Sequence, residues 1–182
     1  KNNAHAISDA IGNKLLFCLE ECVDCNSKLS KVERYFIYLM DWRRAINGIR
    51  NKDGKLPNVF GKEAALRTDS NGVQTLYVNK DYLRDFSGNL IRFRLNNKKV
   101  MTDQGAYRAI CKYAINLMPS SYLPHFQQTI DWIAGRMSAT TLPVVMTAYN
   151  LPHIDQPVLD LFFRRSDDNS LPLCTAMLYV CD

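Results

Sequence analysis

The sequence has no long hydrophobic run: no stretch approaches the roughly eighteen apolar residues that a membrane-spanning helix requires. Its first residues contain no apolar segment of the kind that directs secretion. The six cysteines among 182 residues are too sparse and too irregularly spaced for a disulfide scaffold. We therefore expect a cytoplasmic protein of a reducing compartment, without a membrane partner.

Several other functional signatures are missing. The sequence contains no internal repeat, low-complexity segment, glycine-rich phosphate loop or Ser-His-Asp arrangement. Its net charge of +5 favours a polyanionic partner only mildly. The hydrophobic fraction of 47% is ample for a folded core, in one domain or two small ones.

The residues with the most distinctive chemistry lie near the start of the chain. His5 is followed by a turn at Asn13, and Cys22 and Cys25 then form a CxxC pair that Asn26 follows directly. Phosphodiester hydrolysis needs a water made nucleophilic and a cation that offsets charge building on the phosphate. A histidine can accept the proton of that water, an asparagine carbonyl suits a hard cation such as Mg²⁺, and thiolates suit Zn²⁺.

This pattern resembles the HNH (ββα-metal) endonuclease family of the zinc-stapled type, over roughly the first fifth of the chain. The resemblance implies that His5 is the catalytic general base and that Asn26 is a catalytic ligand of Mg²⁺ or Mn²⁺. It also implies that Asn13 braces the loop by hydrogen bonds. Cys22 and Cys25 would supply half of a structural Zn²⁺ site.

Two more positions bear on the metal. Glu33 lies seven residues beyond Asn26, on the same face of a helix, and is a further candidate in the metal's surroundings. Many family members carry an acidic ligand immediately before the histidine, where this chain has Ala4, so another oxygen donor is needed. The chain begins at Lys1, with neither Met nor an upstream CxxC, so we expect a fragment that has lost its N-terminus.

These residues also permit simpler interpretations. A histidine near a chain end is commonly solvated or part of a core, and a single CxxC can be a redox pair or two buried thiols. Asn26 is also a residue type that caps helices. The alternative function is a non-catalytic zinc-knuckle module that recognises nucleic acid, a nucleotide signal or a protein, and Ala4 favours it. A third is a structural interaction domain with unligated cysteines.

Residues 1–8 are predicted to form a short strand or the end of a strand that carries His5. Hydrophobic periodicity predicts a long helix over 26–48. The apolar stripe of this helix comprises Val32, Tyr35, Phe36, Leu39, Met40 and Ile46. Basic residues accumulate along the helix and the loop after it, where they are candidate contacts to DNA phosphates. An ordinary solvated face is the alternative. These residues are Arg34, Arg43, Arg44 and Arg50.

The remaining elements follow from similar patterns. A short helical connector is predicted over 61–67 and a strand over 73–78. Two helices are predicted over 102–118 and 121–136, with Lys112 on or near the edge of the first helix's apolar stripe. Further strands are predicted over 90–95, 143–148, 158–164 and 174–181, the last two as a hairpin.

The predicted fold class is α+β. A truncated ββα-metal nuclease-like module over residues 1–60 precedes an α+β accessory or recognition domain over 61–182, with a small antiparallel sheet and two helices. The predicted function is a metal-dependent endonuclease that hydrolyses DNA phosphodiester bonds, in bacterial antiviral defence or restriction. DNA is the predicted partner, and a second copy of the chain or a companion defence protein is a further candidate.

Overall fold

The computed structural model describes residues 4–82, 103–138 and 157–180. This part of the chain is α+β, as predicted, with three α-helices and small antiparallel sheets. The helices are α1 (Val23–Ile46), α2 (Asp103–Asn116) and α3 (Gln127–Ile133). The strands are β1 (Ala4–His5), β2 (Phe17–Cys18), β3 (Val59–Phe60), β4 (Ala64–Thr68), β5 (Gln74–Val78), β6 (Val158–Phe163) and β7 (Cys174–Tyr179). Within the described ranges, no helix combines the length and apolar character that a bilayer crossing requires.

The first two strands form a short hairpin that precedes the longest helix. β1 and β2 pair antiparallel, with His5 opposite Phe17. The loop between them contains a 3-10 turn at Asp9–Ile11 that ends at Gly12, where φ is +101°. An L side chain rarely adopts that conformation, so glycine suits the position. Strand, strand and helix therefore follow one another over residues 4–46.

Helix α1 begins three residues earlier than the sequence predicts. Its N-cap is Cys22, whose Sγ accepts a hydrogen bond from the backbone N–H of Cys25 at 3.0 Å. Asn26 therefore lies inside the first turn and does not cap the helix. At the other end Asn47 is the C-cap, and Gly48 follows with φ +68°, as is common after helices.

The apolar stripe predicted for α1 is only partly correct. Phe36 and Met40 are buried, but Leu39 and Ile46 are 50% and 55% exposed. Charged residues occupy several of the buried positions instead, because each meets an oppositely charged partner. These residues are Glu33, Asp41 and Arg44.

The segment after α1 forms a three-stranded sheet in the order β3-β4-β5. The predicted strand at 73–78 is confirmed as β5, but the helical connector predicted over 61–67 is wrong, because residues 64–68 form β4. β4 pairs with β5 from Ala64 opposite Val78 to Thr68 opposite Gln74. This pairing and the burial of alternate β4 residues outweigh a local preference for helix.

The later elements largely follow the predictions. Helix α2 is confirmed, although the start predicted at residue 102 lies outside the described residues. The helix predicted over 121–136 is shorter, because a 3-10 turn at Leu123–Phe126 precedes α3. β6 and β7 form the predicted hairpin. The strands predicted over 90–95 and 143–148 lie outside the described residues.

The main hydrophobic cluster joins the hairpin loop, α1 and α2. Its buried members come from all three, and partly buried side chains of β6 and β7 pack against it. The core therefore includes residues on both sides of residue 60, where the sequence predicts a domain boundary, and the boundary itself stays a prediction. The buried members are Ile7, Ile11, Phe36, Met40, Ala109 and Tyr113.

Candidate functional site

His5 is held on β1 by strand pairing and by an aromatic neighbour. Its ring centroid lies 4.7 Å from that of Phe17, with the two rings tilted by 37°. The side chain is half-buried, and its Nδ1 is buried without a hydrogen-bond partner in the described part of the chain. A buried nitrogen of this kind is normally satisfied by water or an ion. The imidazole is therefore a candidate for contact with a bound solvent molecule.

Asn13 braces the loop that joins β1 to β2. Its Nδ2 donates hydrogen bonds to the carbonyl oxygens of Ile7 at 2.7 Å and Leu16 at 2.8 Å. Its Oδ1 accepts hydrogen bonds from the backbone N–H groups of Leu15 at 3.1 Å and Leu16 at 2.9 Å. Asn13 is only 2% exposed. Its one buried side chain satisfies backbone groups from both sides of the loop. The expected hydrogen-bond bracing is confirmed.

Cys22 and Cys25 lie at the exposed start of α1. A hydrogen bond from the Cys25 side chain lowers the pKa of Cys22, and the same bond raises the pKa of Cys25. The pair therefore favours a thiolate at Cys22. Residues 4–82, 103–138 and 157–180 contain no cluster of three or more His, Cys, Asp or Glu arranged around one point. Two thiols can supply at most two of the four ligands of a structural zinc site, and the zinc site stays a prediction.

Asn26 follows the cysteine pair in the first turn of α1. Its backbone N–H donates to the carbonyl oxygen of Cys22 at 2.8 Å, as in a continuous helix. The side chain is half-buried and carries an amide oxygen, a ligand type that suits Mg²⁺. The chemistry of this donor fits the predicted role.

Glu33 is paired with Lys112, a partner that was not predicted from the sequence. Its Oε1 lies 2.6 Å from Nζ of Lys112, which also lies 3.2 Å from Oε2 of Glu21. Burial raises the pKa of Glu33, although Lys112 acts in the opposite direction. Lys112 itself is 1% exposed, a degree of burial that was not predicted for a residue on or near the edge of the apolar stripe. The Glu33 carboxylate forms a buried ion pair with Lys112, and its place among the metal's surroundings stays a prediction.

The four arginines predicted to contact DNA do not form one surface. Arg34, Arg43 and Arg50 are exposed, and Nη1 of Arg50 donates to the carbonyl oxygen of Gly54 at 2.8 Å. Arg34 and Arg43 are nine residues apart, so at about 3.6 residues per turn they point to opposite sides of α1.

The prediction that Arg44 contacts DNA is wrong, because the residue is buried. It is only 4% exposed, and its Nη1 lies 2.7 Å from Oδ1 of Asp41. The guanidinium group compensates a buried carboxylate, so it does not face an external phosphate.

Asn116 is a second polar residue on α2 that contacts this region. Its Nδ2 lies 3.2 Å from the carbonyl oxygen of Ala6, the residue after His5, and 3.5 Å from Oε2 of Glu21. Neither the contacts of Asn116 nor the burial of Lys112 was predicted from the sequence. A signal was present, because Ala109, Lys112, Tyr113 and Asn116 share the spacing of one helical face.

The chain matches no protein-family model, no curated protein and no solved structure. Its function has to be inferred from the chemistry of these residues.

Proposed function

We propose that the chain is a metal-dependent endonuclease of the HNH type that hydrolyses DNA phosphodiester bonds. The observation that carries this proposal is the bracing by Asn13, which holds the loop between the strand with His5 and β2 through four hydrogen bonds. A helix whose first turn contains Cys25 and Asn26 follows directly. Base, loop brace and metal ligand thus occur in the order that the HNH resemblance implies.

His5 acts as the general base. The imidazole can accept a proton from the attacking water. Pairing of β1 with β2 and packing against Phe17 restrict the position of the ring. A positioned base contributes to the rate because the ring needs no reorganisation in the transition state.

Asn26 would hold a divalent cation through its side-chain oxygen. The cation, Mg²⁺ or Mn²⁺, supplies electrostatic stabilisation to the phosphate as negative charge builds. The half-buried position of Asn26 limits competition from solvent. One amide oxygen alone is a weak ligand set, so other oxygen donors would be needed beside Asn26 to hold the cation.

Cys22 and Cys25 have a structural role in this proposal. Zn²⁺ would be held by their thiolates together with two further ligands, and would stabilise the start of α1. Both thiols are exposed, and the hydrogen bond at Cys22 favours its deprotonated form. That protonation state is the one that binds zinc.

Duplex DNA is the proposed substrate, in a bacterial defence or restriction context. Arg34, Arg43 and Arg50 are exposed, and the net charge of +5 favours a polyanion. Because Arg34 and Arg43 lie on opposite sides of α1, one duplex would contact only one of these two residues. Phosphate contacts orient a duplex without reading its sequence. We assign no sequence preference to them.

One observation favours the alternative function of a non-catalytic binding module. Ala4, which occupies the position of an acidic ligand in many HNH nucleases, is 1% exposed and supplies no side-chain oxygen. A module of this kind would bind nucleic acid, a nucleotide signal or a protein without cleaving DNA. The cleavage experiment below separates the two functions.

The test compares His5→Ala and Asn26→Ala in Mg²⁺-dependent DNA cleavage. His5→Ala is expected to lower cleavage by about 10²–10⁴-fold with DNA binding nearly unchanged, because a general base acts in the transition state. Asn26→Ala is expected to lose activity that high Mg²⁺ or Mn²⁺ partly restores, because the lost group captures the metal.

His125→Ala is the matched control, since His125 is an exposed histidine in the 3-10 turn before α3. This variant should cleave at the wild-type rate. Failure of the wild-type chain to cut DNA with any divalent ion, while it still binds DNA, would support the binding module. Unchanged cleavage in both site variants would refute the assigned residues.

A further inference from the structure

Helix α2 reaches the proposed nuclease site through two polar side chains. Lys112 and Asn116 are four residues apart, so they lie on the same face of the helix. Lys112 is 1% exposed and Asn116 is half-buried. A buried lysine is costly unless it is paired, so the partners of these residues explain why they are buried.

Lys112 connects two acidic residues from different segments. Its Nζ lies 2.6 Å from Oε1 of Glu33, near the middle of α1, and 3.2 Å from Oε2 of Glu21. Glu21 immediately precedes Cys22, the N-cap of α1. One ammonium group therefore ties the approach to the cysteine pair and the body of α1 to the same point on α2.

Asn116 connects the same point to the strand that carries His5. Its amide donates to the carbonyl oxygen of Ala6 at 3.2 Å and lies 3.5 Å from Oε2 of Glu21. The N–H of Ala6 donates to the carbonyl oxygen of Leu16 at 3.0 Å. The residue after His5 is thus held by β2 on one side and by α2 on the other.

We propose that Lys112 and Asn116 are positioning residues that set the location of the His5 imidazole relative to Asn26. The proposal rests on the proposed function, since it assigns these residues to the same site. Neither side chain contacts the reacting groups. They act by joining the segment after His5 and the segment before Cys22 to one rigid helix. Catalysis by a base and a metal ligand depends steeply on their separation, because a displacement of about 1 Å can cost about 100-fold in rate.

The test uses two substitutions at Asn116. Asn116→Ala removes the amide, and Asn116→Asp keeps its size but places a carboxylate against the Ala6 carbonyl and the Glu21 carboxylate. Gln104→Ala is the matched control, because Gln104 is an exposed amide side chain on the same helix. Circular dichroism confirms that each variant is folded at the assay temperature.

Two readouts are measured for each variant. The first is kcat and KM for Mg²⁺-dependent cleavage of duplex DNA. The second is the NMR signals of the His5 ring and the Asn26 side-chain amide, recorded without metal, with His125 as an internal reference. A merely stabilising role would change the folded fraction and affect all signals alike. A positioning role moves the His5 and Asn26 signals and leaves the His125 signal in place.

We expect Asn116→Ala to lower kcat by about 10- to 100-fold with KM nearly unchanged, and Asn116→Asp to lower it further. Both should shift the His5 signal, and Gln104→Ala should change neither readout. If the Asn116 variants do not fold, Lys112→Met combined with Glu33→Gln carries the same test. That pair removes one positive and one negative charge, so the net charge of the cluster is unchanged.

The proposal is overturned if folded Asn116→Asp keeps the wild-type kcat and the wild-type His5 and Asn26 signals. The nuclease assignment is unaffected by that result. Conversely, wild-type protein that cuts no DNA refutes the proposed function, and the NMR signals alone then decide whether α2 positions His5.

Discussion

A single hydrogen bond shifts the pKa values of the two thiols of the CxxC pair in opposite directions. Because the Cys25 side chain donates a hydrogen bond to Cys22, the pKa of Cys22 is lowered and that of Cys25 is raised. Cys111 is different, since burial in the cluster with Trp132 and Ile133 raises its pKa to about 11. Thiolates are the reactive form, so chemical labelling should separate these residues.

We expect iodoacetamide near neutral pH to alkylate Cys22 well before Cys111. The reason is that Cys22 is exposed and has the larger thiolate fraction, whereas Cys111 is buried and protonated. Mass spectrometry of peptides taken during the reaction gives the order.

Zinc provides the control for this labelling. Added Zn²⁺ should protect Cys22 and Cys25 and leave the labelling rate of Cys174 unchanged. Equal labelling of Cys111 and Cys22 would contradict the structure. Labelling of Cys22 and Cys25 that is insensitive to zinc would count against the proposed staple.

The role of Asn13 could be predicted from the sequence, but the role of Lys112 could not. Asn13 binds backbone groups within six residues of itself, so its surroundings are local. Lys112 depends on Glu33, which is 79 residues away in the chain. A lone lysine in an apolar stripe carries no information about which carboxylate will reach it.

Helix α1 contains a buried ion pair between neighbouring turns. Asp41 and Arg44 are 3% and 4% exposed and lie three residues apart. Arg43, the residue before Arg44, is exposed. Two adjacent arginines on one helix therefore have opposite expected effects on stability and on DNA binding.

Arg44→Ala is expected to lower the free energy of unfolding by about 3–5 kcal/mol, because it removes the guanidinium group that pairs with the buried Asp41 carboxylate. Arg43→Ala should lower that free energy less, because Arg43 is exposed and a surface charge contact contributes at most about 1 kcal/mol. Urea unfolding of both variants measures the difference.

The salt dependence of duplex DNA binding is a second measurement that distinguishes Arg43→Ala from Arg44→Ala. If Arg43 contacts a phosphate, Arg43→Ala reduces the slope of log affinity against log salt by about one. Arg44→Ala should leave the slope unchanged once the folded fraction is taken into account. Equal stability losses in the two variants would contradict the burial of Arg44.

The positions of the helices and strands could be predicted from the sequence better than the residues that each of them buries. α1, α2, β5 and the β6-β7 hairpin follow from periodicity, since each contains a regular run of apolar residues. The strand β4 could not be predicted from periodicity. Ala64, Ala65 and Leu66 suit a helix and form a strand only by pairing with β5. Ile46 was likewise predicted to be buried, but its side chain is 55% exposed, because burial at the end of α1 depends on tertiary contacts that the periodicity does not specify.

The whole molecule depends on contacts across residue 60. The cluster that includes Ile7, Phe36 and Met40 also includes Ala109 and Tyr113. Lys112 compensates the carboxylates of Glu21 and Glu33 from the same helix. The first sixty residues therefore contain buried groups whose partners lie elsewhere.

A fragment of residues 1–60 is expected to lack a cooperative unfolding transition. Without α2 it leaves apolar side chains exposed and two acidic residues without their cation. Thermal melting followed by circular dichroism is the measurement, with a fragment of residues 1–138 as the control that keeps α2. A cooperative melt of the shorter fragment would show that it is a self-contained module.

The distance along the chain between Glu33 and Lys112 also has a consequence in time. A ribosome adds about 5–20 residues per second, and 79 positions separate the two side chains, so Lys112 is made about 4 to 16 seconds after Glu33. During that interval both acidic side chains remain hydrated, and the strand with His5 is not yet tied to the start of α1. If the chain cuts DNA, it acquires that ability only after Lys112 has been made and α2 can pack against α1.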